Sequence, residues 1–459
     1  MKLKKFALSL LLATFPVTSS VSAEVLNVNL EECINLALQN NRSIEQSSAS
    51  RENAQWLLKR YRRATGPTVS WTSAANKIGG DDYIARRNTG LDYDYSFDNT
   101  LRLTYPLYTG GRNENNIESA KFSLNSADLT LENTRQQVIY NTTAAYYDIL
   151  RNKSLVAVKE NNVKRLQEHL DQVNAKFEIG VVAGADILAS KVQIANAQQS
   201  LTTSRNDYAN AVATLNNLIG VPMSTDLIIN DDLKYTSYSV NLEDCIAYAQ
   251  EHRPDGIAAN YAVQQAEKNI AVVNANKLPQ VNAVVSRTFN GEEIFKNNHN
   301  DNWAAGVSLS WSVFDNNVTV AQVHENEANL RRLQSIYKQT QDQIELDVRK
   351  AYNNLTAAET NILTTQAAVN QAAEEYRIAQ VKYVEGVGTN MEVMDAQEKL
   401  LEAQTNYYTA LYNYNTSKAQ LDKAMGVPVA VDAVRYNLAV TEGKSADEAL
   451  KISSVEENK

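Results

Sequence analysis

VNLEECI, from Val28 to Ile34, returns as VNLEDCI, from Val240 to Ile246, and this repetition decides the architecture. Its offset of 212 also carries Pro67 onto Pro279. Further along, Tyr108 matches Phe314, Gly180 matches Gly386, and Gly220–Pro222 matches Gly426–Pro428, all at an offset of 206. The register therefore holds from Tyr108 to Pro222. The six-residue difference falls between Pro67 and Tyr108, which marks that interval as an adaptable loop. A period of about 200 residues is too long for a solenoid module. The chain reads as a duplicated half-molecule, with a first repeat over 24–235, a second over 236–432 and a tail over 433–459.

Composition narrows the class. Among 459 residues only 16 are Gly and 7 Pro, far below average usage, which points to long uninterrupted helices. The formal charge is −9, and nucleic acid is not an expected partner. Residues 1–23 read as a secretory signal peptide: Lys2, Lys4 and Lys5, an apolar stretch from Phe6 to Val17, then the small-residue site Val21-Ser22-Ala23. Removing those three lysines and no acid leaves −12. No later apolar run reaches 18 residues, so a membrane crossing would have to be made by strands. Cys33 and Cys245 occupy equivalent places in the two repeats. Equivalent sites usually lie apart, so they are expected to be two buried thiols and not a disulfide.

Arg112–Ile179 and its partner Val318–Glu385 contain neither Gly nor Pro. Each would make roughly 100 Å of helix. Glu31–Thr65 and Ala185–Ile219 would each make roughly 50 Å. Two short helices end to end thus match one long helix, suggesting one long helix per half returned by two stacked shorter ones. Val163, Leu166, Leu170, Val173 and Phe177 follow 3-4 spacing, repeated by Val369, Ala372, Tyr376, Ala379 and Tyr383. Such a stripe buries one seam in coiled-coil fashion, while the other faces are rich in amides, hydroxyls and charge. A wetted wall fits this pattern; a solid periplasmic bundle is the bland alternative.

Strands lie between the helices. Trp303, Ala305, Val307, Leu309, Trp311 and Val313 alternate with Ser308, Ser310 and Ser312, and Leu101, Leu103, Tyr105 and Leu107 alternate with Arg102 and Thr104 in the first half. Weaker partners span Val69–Lys77 and Val281–Phe289. About ten residues with one apolar face suits a tilted membrane strand. Trp71, Trp303 and Trp311, with Phe97, Tyr105, Tyr108, Phe289 and Phe314, would form an aromatic belt. Four strands cannot close a barrel, and open edges do not survive in lipid, so copies of the chain must pool them.

Taken together these features resemble the TolC family of outer-membrane efflux and secretion channels. The resemblance runs from about Val28 to Pro428. It rests on the duplication, on LTYPLYTGGR (Leu103–Arg112) and LSWSVFDNN (Leu309–Asn317), and on the turns FEIGVVAGADIL (Phe177–Leu188) and YVEGVGTNMEVM (Tyr383–Met394). It implies a mainly α fold with a small β part: a homotrimer joining a twelve-stranded outer-membrane barrel in lipid to a twelve-helix tunnel through the periplasm. The implied partners are a periplasmic adaptor protein and an inner-membrane pump of the RND, ABC or MFS type, serving efflux or type I secretion. The turns at Gly180, Gly184, Gly386 and Gly388 would be the adaptor-docking surface. Tyr383 and Asp186 resemble a hydrogen-bonded gate pair, and Glu392 with Asp395 an acidic ring; Gly388 stands where a basic gate residue is expected.

Bland roles stand beside these. Thr389 with Glu392 fits a capping box, and Asp186 lies in a first helical turn that favours an acid. No catalytic constellation competes. His169, His252, His299 and His324 lack metal-ligand spacing, His324-Glu325 is not followed by a zinc motif's second histidine, and no cofactor is expected. Gly79-Gly80-Asp81-Asp82 reads as a surface loop, and the tail as disordered or draped outside. The expected function is a passive exit duct, not an enzyme. The rival is a coiled-coil envelope tether without transport.

Overall fold

The computed structural model describes residues 25–427, apart from 78, 89, 91–93, 292 and 296–299. The expected signal peptide (1–23) and the tail (433–459) lie outside the described residues. In chain order the elements are β1 Val25–Asn27, α1 Leu30–Asn40, α2 Arg42–Arg63, β2 Thr68–Lys77, α3 Asp81–Asn88, β3 Tyr95–Tyr108, α4 Arg112–Glu178, α5 Gly184–Ile219, β4 Asp226–Ile228, α6 Leu242–His252, α7 Pro254–Asn274, β5 Gln280–Gly291, β6 Asn300–Ser310, α8 Val318–Val384 and α9 Asn390–Met425. The long helices α4 and α8 have 67 residues each, and the return helices α5 and α9 have 36 each.

The stretch Glu31–Thr65 is not one helix. It breaks at Asn41, whose side chain caps α2 by accepting from Ser43 N while its amide donates to Leu218 O at 3.0 Å. The second repeat breaks at Arg253, with Pro254 opening α7 where a missing N–H costs nothing. Gly79–Asp82 likewise is not simply a loop, since Asp81 and Asp82 start α3, where the helix dipole favours acids.

The helices pack side by side in one layer. Near the sheet α4 lies between α2 and α7, and farther away between α5 and α9. It is therefore covered on both sides by its own chain. α8 packs on α7, α6 and α9. The seam is as expected at Leu166, Leu170 and Val173, which pack with Ile194, Ala197 and Val393. Phe177 falls out of it and is exposed, because the helix ends there.

The main apolar cluster sits at mid-length. There Cys33, Tyr146, Ile149, Leu150, Leu215, Ile246, Ile344 and Leu421 meet. Burying one such side chain contributes about 1.5–3 kcal/mol. Both cysteines are buried free thiols, and both belong to this cluster. Burial pushes the Cys33 thiol up to about 12, so it packs as a small apolar group. The segment between the repeats is strapped over this cluster by tyrosines. Tyr238 Oη donates to Asp422 at 2.7 Å, Tyr414 Oη donates to Thr236 O at 2.8 Å, and the Tyr235 ring packs tilted against Tyr414, centre to centre 4.9 Å.

The four long strands form one antiparallel sheet, ordered β2-β3-β5-β6. Its register gives one mainly apolar face, interrupted by Arg287, and one mainly polar face. One face carries the rungs Val69–Leu103–Val285–Ala305 and Trp71–Leu101–Arg287–Trp303; the other carries Ser70–Arg102–Ser286–Ala304 and Thr72–Thr100–Thr288–Asn302. The edge strands β2 and β6 are exposed along their whole length. Trp311 and Val313 lie beyond β6, and Trp311 Nε1 donates to Lys277 O at 3.0 Å. No helix is long and apolar enough to cross a membrane among the described residues.

Candidate functional site: the tip of the helical hairpins

Far from the sheet each long helix turns back through a short loop. Gly180 and Gly386 have φ of +78° and +79°, the left-handed region that a side chain would strain. Each closes a Schellman-type cap: Gly180 N donates to Phe177 O and Val181 N to Lys176 O, mirrored by Gly386 N to Tyr383 O and Val387 N to Lys382 O. Beyond these glycines the two turns differ. Gly184 merely opens α5, and a Cβ there would meet only Phe177 at 3.7 Å. At Gly388 a Cβ would sit 2.9 Å from Lys382 Cβ and 3.0 Å from Tyr383 N. The turn folds so tightly onto α8 that no basic side chain fits at 388.

A different cation ties the tip. Lys176, at the end of α4, donates from Nζ to Val384 O at 3.2 Å and also to Tyr383 O, with its ammonium 4.5 Å from the Tyr383 ring centre. It adds a second donor to Tyr383 O, satisfies Val384 O at the end of α8, and lies where the helix dipole is negative.

Tyr383 and Asp186 are near neighbours, but they are not hydrogen-bonded. Tyr383 Oη is buried without a hydrogen-bond partner. Burial first, and then the Asp186 charge, push its phenol above the ordinary value. The partner of Asp186 is Asn390, whose Nδ2 donates to its backbone oxygen at 3.3 Å and its carboxylate at 3.4 Å. Asn390 Oδ1 in turn lies 2.7 Å from His169 Nε2 and accepts from Ser190 Oγ at 3.4 Å. The His169 ring packs on Tyr383, centre to centre 4.8 Å. Sequence reasoning missed this network. Its signal was asymmetry between the repeats, since Asn390 stands opposite Gly184 and His169 opposite Glu375.

Glu392 and Asp395 are both exposed on α9 and line one groove of about 730 Å³ between α8 and α9, with Lys382 and Lys399. Glu392 Oε2 also accepts from Thr389 N at 3.1 Å while Thr389 Oγ1 accepts from Glu392 N at 3.2 Å, which is the capping box. Lys399 is bonded to Glu375 at 2.6 Å. Among the described residues no group of three or more His, Cys, Asp or Glu is placed to hold a metal ion. His299 lies outside the described residues.

The duplicated hairpins, the two-faced sheet and the paired turns thus occur together in one chain. The sequence profile of the family described as Outer membrane efflux protein matches residues 33–221 and 245–427, once per repeat. The chain belongs to that family. It is 24% identical over 442 residues to the outer membrane protein TolC of Vibrio cholerae, covering 93% of this chain and 97% of that one. It is 22% identical over 352 residues to the outer membrane efflux protein BepC of Brucella suis, covering 73% and 75%. Among solved structures it is similar in fold to the Campylobacter jejuni CmeC outer membrane channel, with TM-score 0.78, 16% identity and coverage of 91% and 90%. The Vibrio cholerae outer membrane protein VceC gives TM-score 0.74, 18% identity and coverage of 86% and 96%. As a member of this family the protein is an outer-membrane efflux channel protein and not an enzyme.

Proposed function

We propose that three copies assemble into a passive exit duct, a twelve-stranded barrel continued by a twelve-helix tunnel, which a periplasmic adaptor couples to an inner-membrane pump. One observation carries this reading: the sheet and the helical layer are open on the same two sides. β2 follows α2 on one side, and β6 precedes α8 on the other. A single rotation that pairs β6 of one copy with β2 of the next also lays α8 on the neighbour's α2. Closure removes both sheet edges, which lipid would not tolerate.

In such an assembly Glu392 and Asp395 contribute six carboxylates around one narrow mouth, where rings of acids favour cations. Asp186 and Tyr383 belong to the gate: Asp186 is held by Asn390, Asn390 is bonded to His169, and the His169 ring packs on Tyr383. The turns at Gly180, Gly184, Gly386 and Gly388 are the docking surface for the adaptor. Purified from outer membranes in mild detergent, the protein is expected as a trimer by mass photometry and as a conducting channel in planar bilayers. A stable membrane-inserted monomer would sink the barrel, and trimers that never conduct would favour the tether. Replacing Glu392 and Asp395 together with Ala should reduce cation preference. Unchanged selectivity with only lowered thermal stability leaves them as helix-start residues. Gly386→Pro should abolish efflux while trimers still reach the outer membrane; normal export in that variant removes this turn from the docking surface.

A further inference from the structure

The imidazole of His169 is 1% exposed, so it sits inside the tip with no access to water. Its Nε2 faces Asn390 Oδ1 at 2.7 Å. The orientation of that amide is set by Nδ2, which already donates to Asp186. An amide oxygen only accepts, so Nε2 carries the proton and Nδ1 is left as a bare acceptor. Nδ1 is buried and has no hydrogen-bond partner. Buried polar atoms are nearly always paired, so a basic nitrogen kept bare inside a closed contact demands a reason. The duplicated architecture does not supply one, because the matching position in the second repeat is the exposed Glu375.

We propose that His169 is a proton-sensing latch of the closed tip: neutral, it holds Asn390 and the start of α9 against α4 and α5, and on taking a proton at Nδ1 it lets them part. The proposal rests on the reading of the protein as a channel whose tip opens. The surroundings of the ring make the charged form costly. From α8 it meets the Tyr383 ring, whose hydroxyl is unpaired. From α9 it meets Asn390, and from α5 it reaches Ser190 and Asp186 only through the Asn390 amide. On α4 itself Arg165 lies one turn before it and Lys176 two turns after, so its own face carries two cations. No carboxylate takes the proton of Nδ1 directly.

The direction of the pH effect follows. Burial holds His169 below its ordinary value near 6.5, and the Asn390 bond offsets only part of this. The closed tip therefore binds the proton less readily than an open one. Closure is fully stable above the ordinary value and is lost progressively as pH falls below it.

The test uses the full-length protein in planar bilayers, titrated from about pH 7.5 to about pH 5. The open-to-closed ratio should rise about tenfold or more over this range. His169→Gln, whose amide still donates to Asn390, should show no such rise. Asn390→Asp sets a carboxylate against the ring, so acid should then hold the tip closed. An equal rise in His169→Gln, or a flat response in the parent, overturns the latch. Amide exchange of residues 386–395, corrected for intrinsic rates, should quicken in acid in the parent and not in His169→Gln. A protein that exchanges as expected yet never conducts sinks the channel reading and spares the latch.

Discussion

The two long helices are equal in length and related by duplication, yet they bury different things. α4 encloses Asn125, Asp128, Glu132, Gln136, Asn152, Asn162 and His169 along with its apolar seam. The buried residues of α8 are apolar but for Thr319 and the two tyrosines. The reason is position. α4 is covered on both sides by its own chain, so even its polar faces are closed off and must find partners, as Asp128 finds Arg51. α8 lies at the rim of the layer and carries a second stripe that nothing covers. Ile336 and Ile378 are six heptads apart, Leu346 and Val381 five, Leu363 and Val384 three, and all six are exposed. Multiples of seven put each pair on one line of a supercoiled helix, and the three lines are adjacent. One helix is finished within the chain, and in the proposed assembly a neighbour would finish the other.

The largest effect should come from the unfinished side. Leu346→Glu with Leu363→Glu places two charges on the bare stripe and should abolish the trimer in detergent, leaving a folded monomer by mass photometry and circular dichroism. Survival of the trimer would mean that the stripe faces the lumen or solvent. On the finished side the order reverses. Leu150 is 2% exposed in the mid-length cluster, and Leu150→Ala should lower unfolding stability by about 2–5 kcal/mol. A shifted denaturant midpoint with the assembly intact is the expected result, and loss of assembly at unchanged stability would refute the contrast.

The turns offer a narrower version of the same comparison. Gly388→Ala forces a Cβ to 2.9 Å from Lys382 Cβ and should cost about 1–3 kcal/mol. Gly184→Ala meets Phe177 at ordinary distance and should change stability by less than about 0.5 kcal/mol. Equal thermal shifts in the two variants would show that the tightness of the second turn has no energetic consequence.

Much of this was legible in the residues. The duplication and the absence of Gly and Pro marked out α4, α5 and α8 to within a residue or two, because long helices need little besides uninterrupted propensity. The strands showed through period-two alternation, and the register then separated Leu101 and Val285 from Arg102 and Ser286. The break at Asn41 was hidden, since asparagine suits a helix interior poorly but does not forbid it. What stops the helix is a distant partner, the carbonyl end of α5. The hydrogen bond expected between Asp186 and Tyr383 failed for the same reason. The two lie close together, but the atoms that hold them come from Asn390, His169 and Lys176, brought together from separate helices. Pairing across a fold leaves no spacing in the sequence.

The smallest effect concerns how α5 and α9 begin. α9 starts with a full capping box, whereas α5 starts at Ala183 with no side-chain cap, although Asp186 stands at the position matching Glu392. Thr389→Ala should remove one cap bond and weaken the first turn of α9 by about 1 kcal/mol, read as faster amide exchange at Glu392 and its neighbours. Ala183→Thr should strengthen the first turn of α5 by a similar or smaller amount. Its hydroxyl can accept from Asp186 N, which now donates to Ala183 O at 3.0 Å, while the Asp186 carboxylate keeps its contact with Asn390. If Ala183→Thr instead loosens the tip, Asp186 has been drawn back to its own helix. The bond to Asn390, and not local capping, would then be what holds the first turn in place.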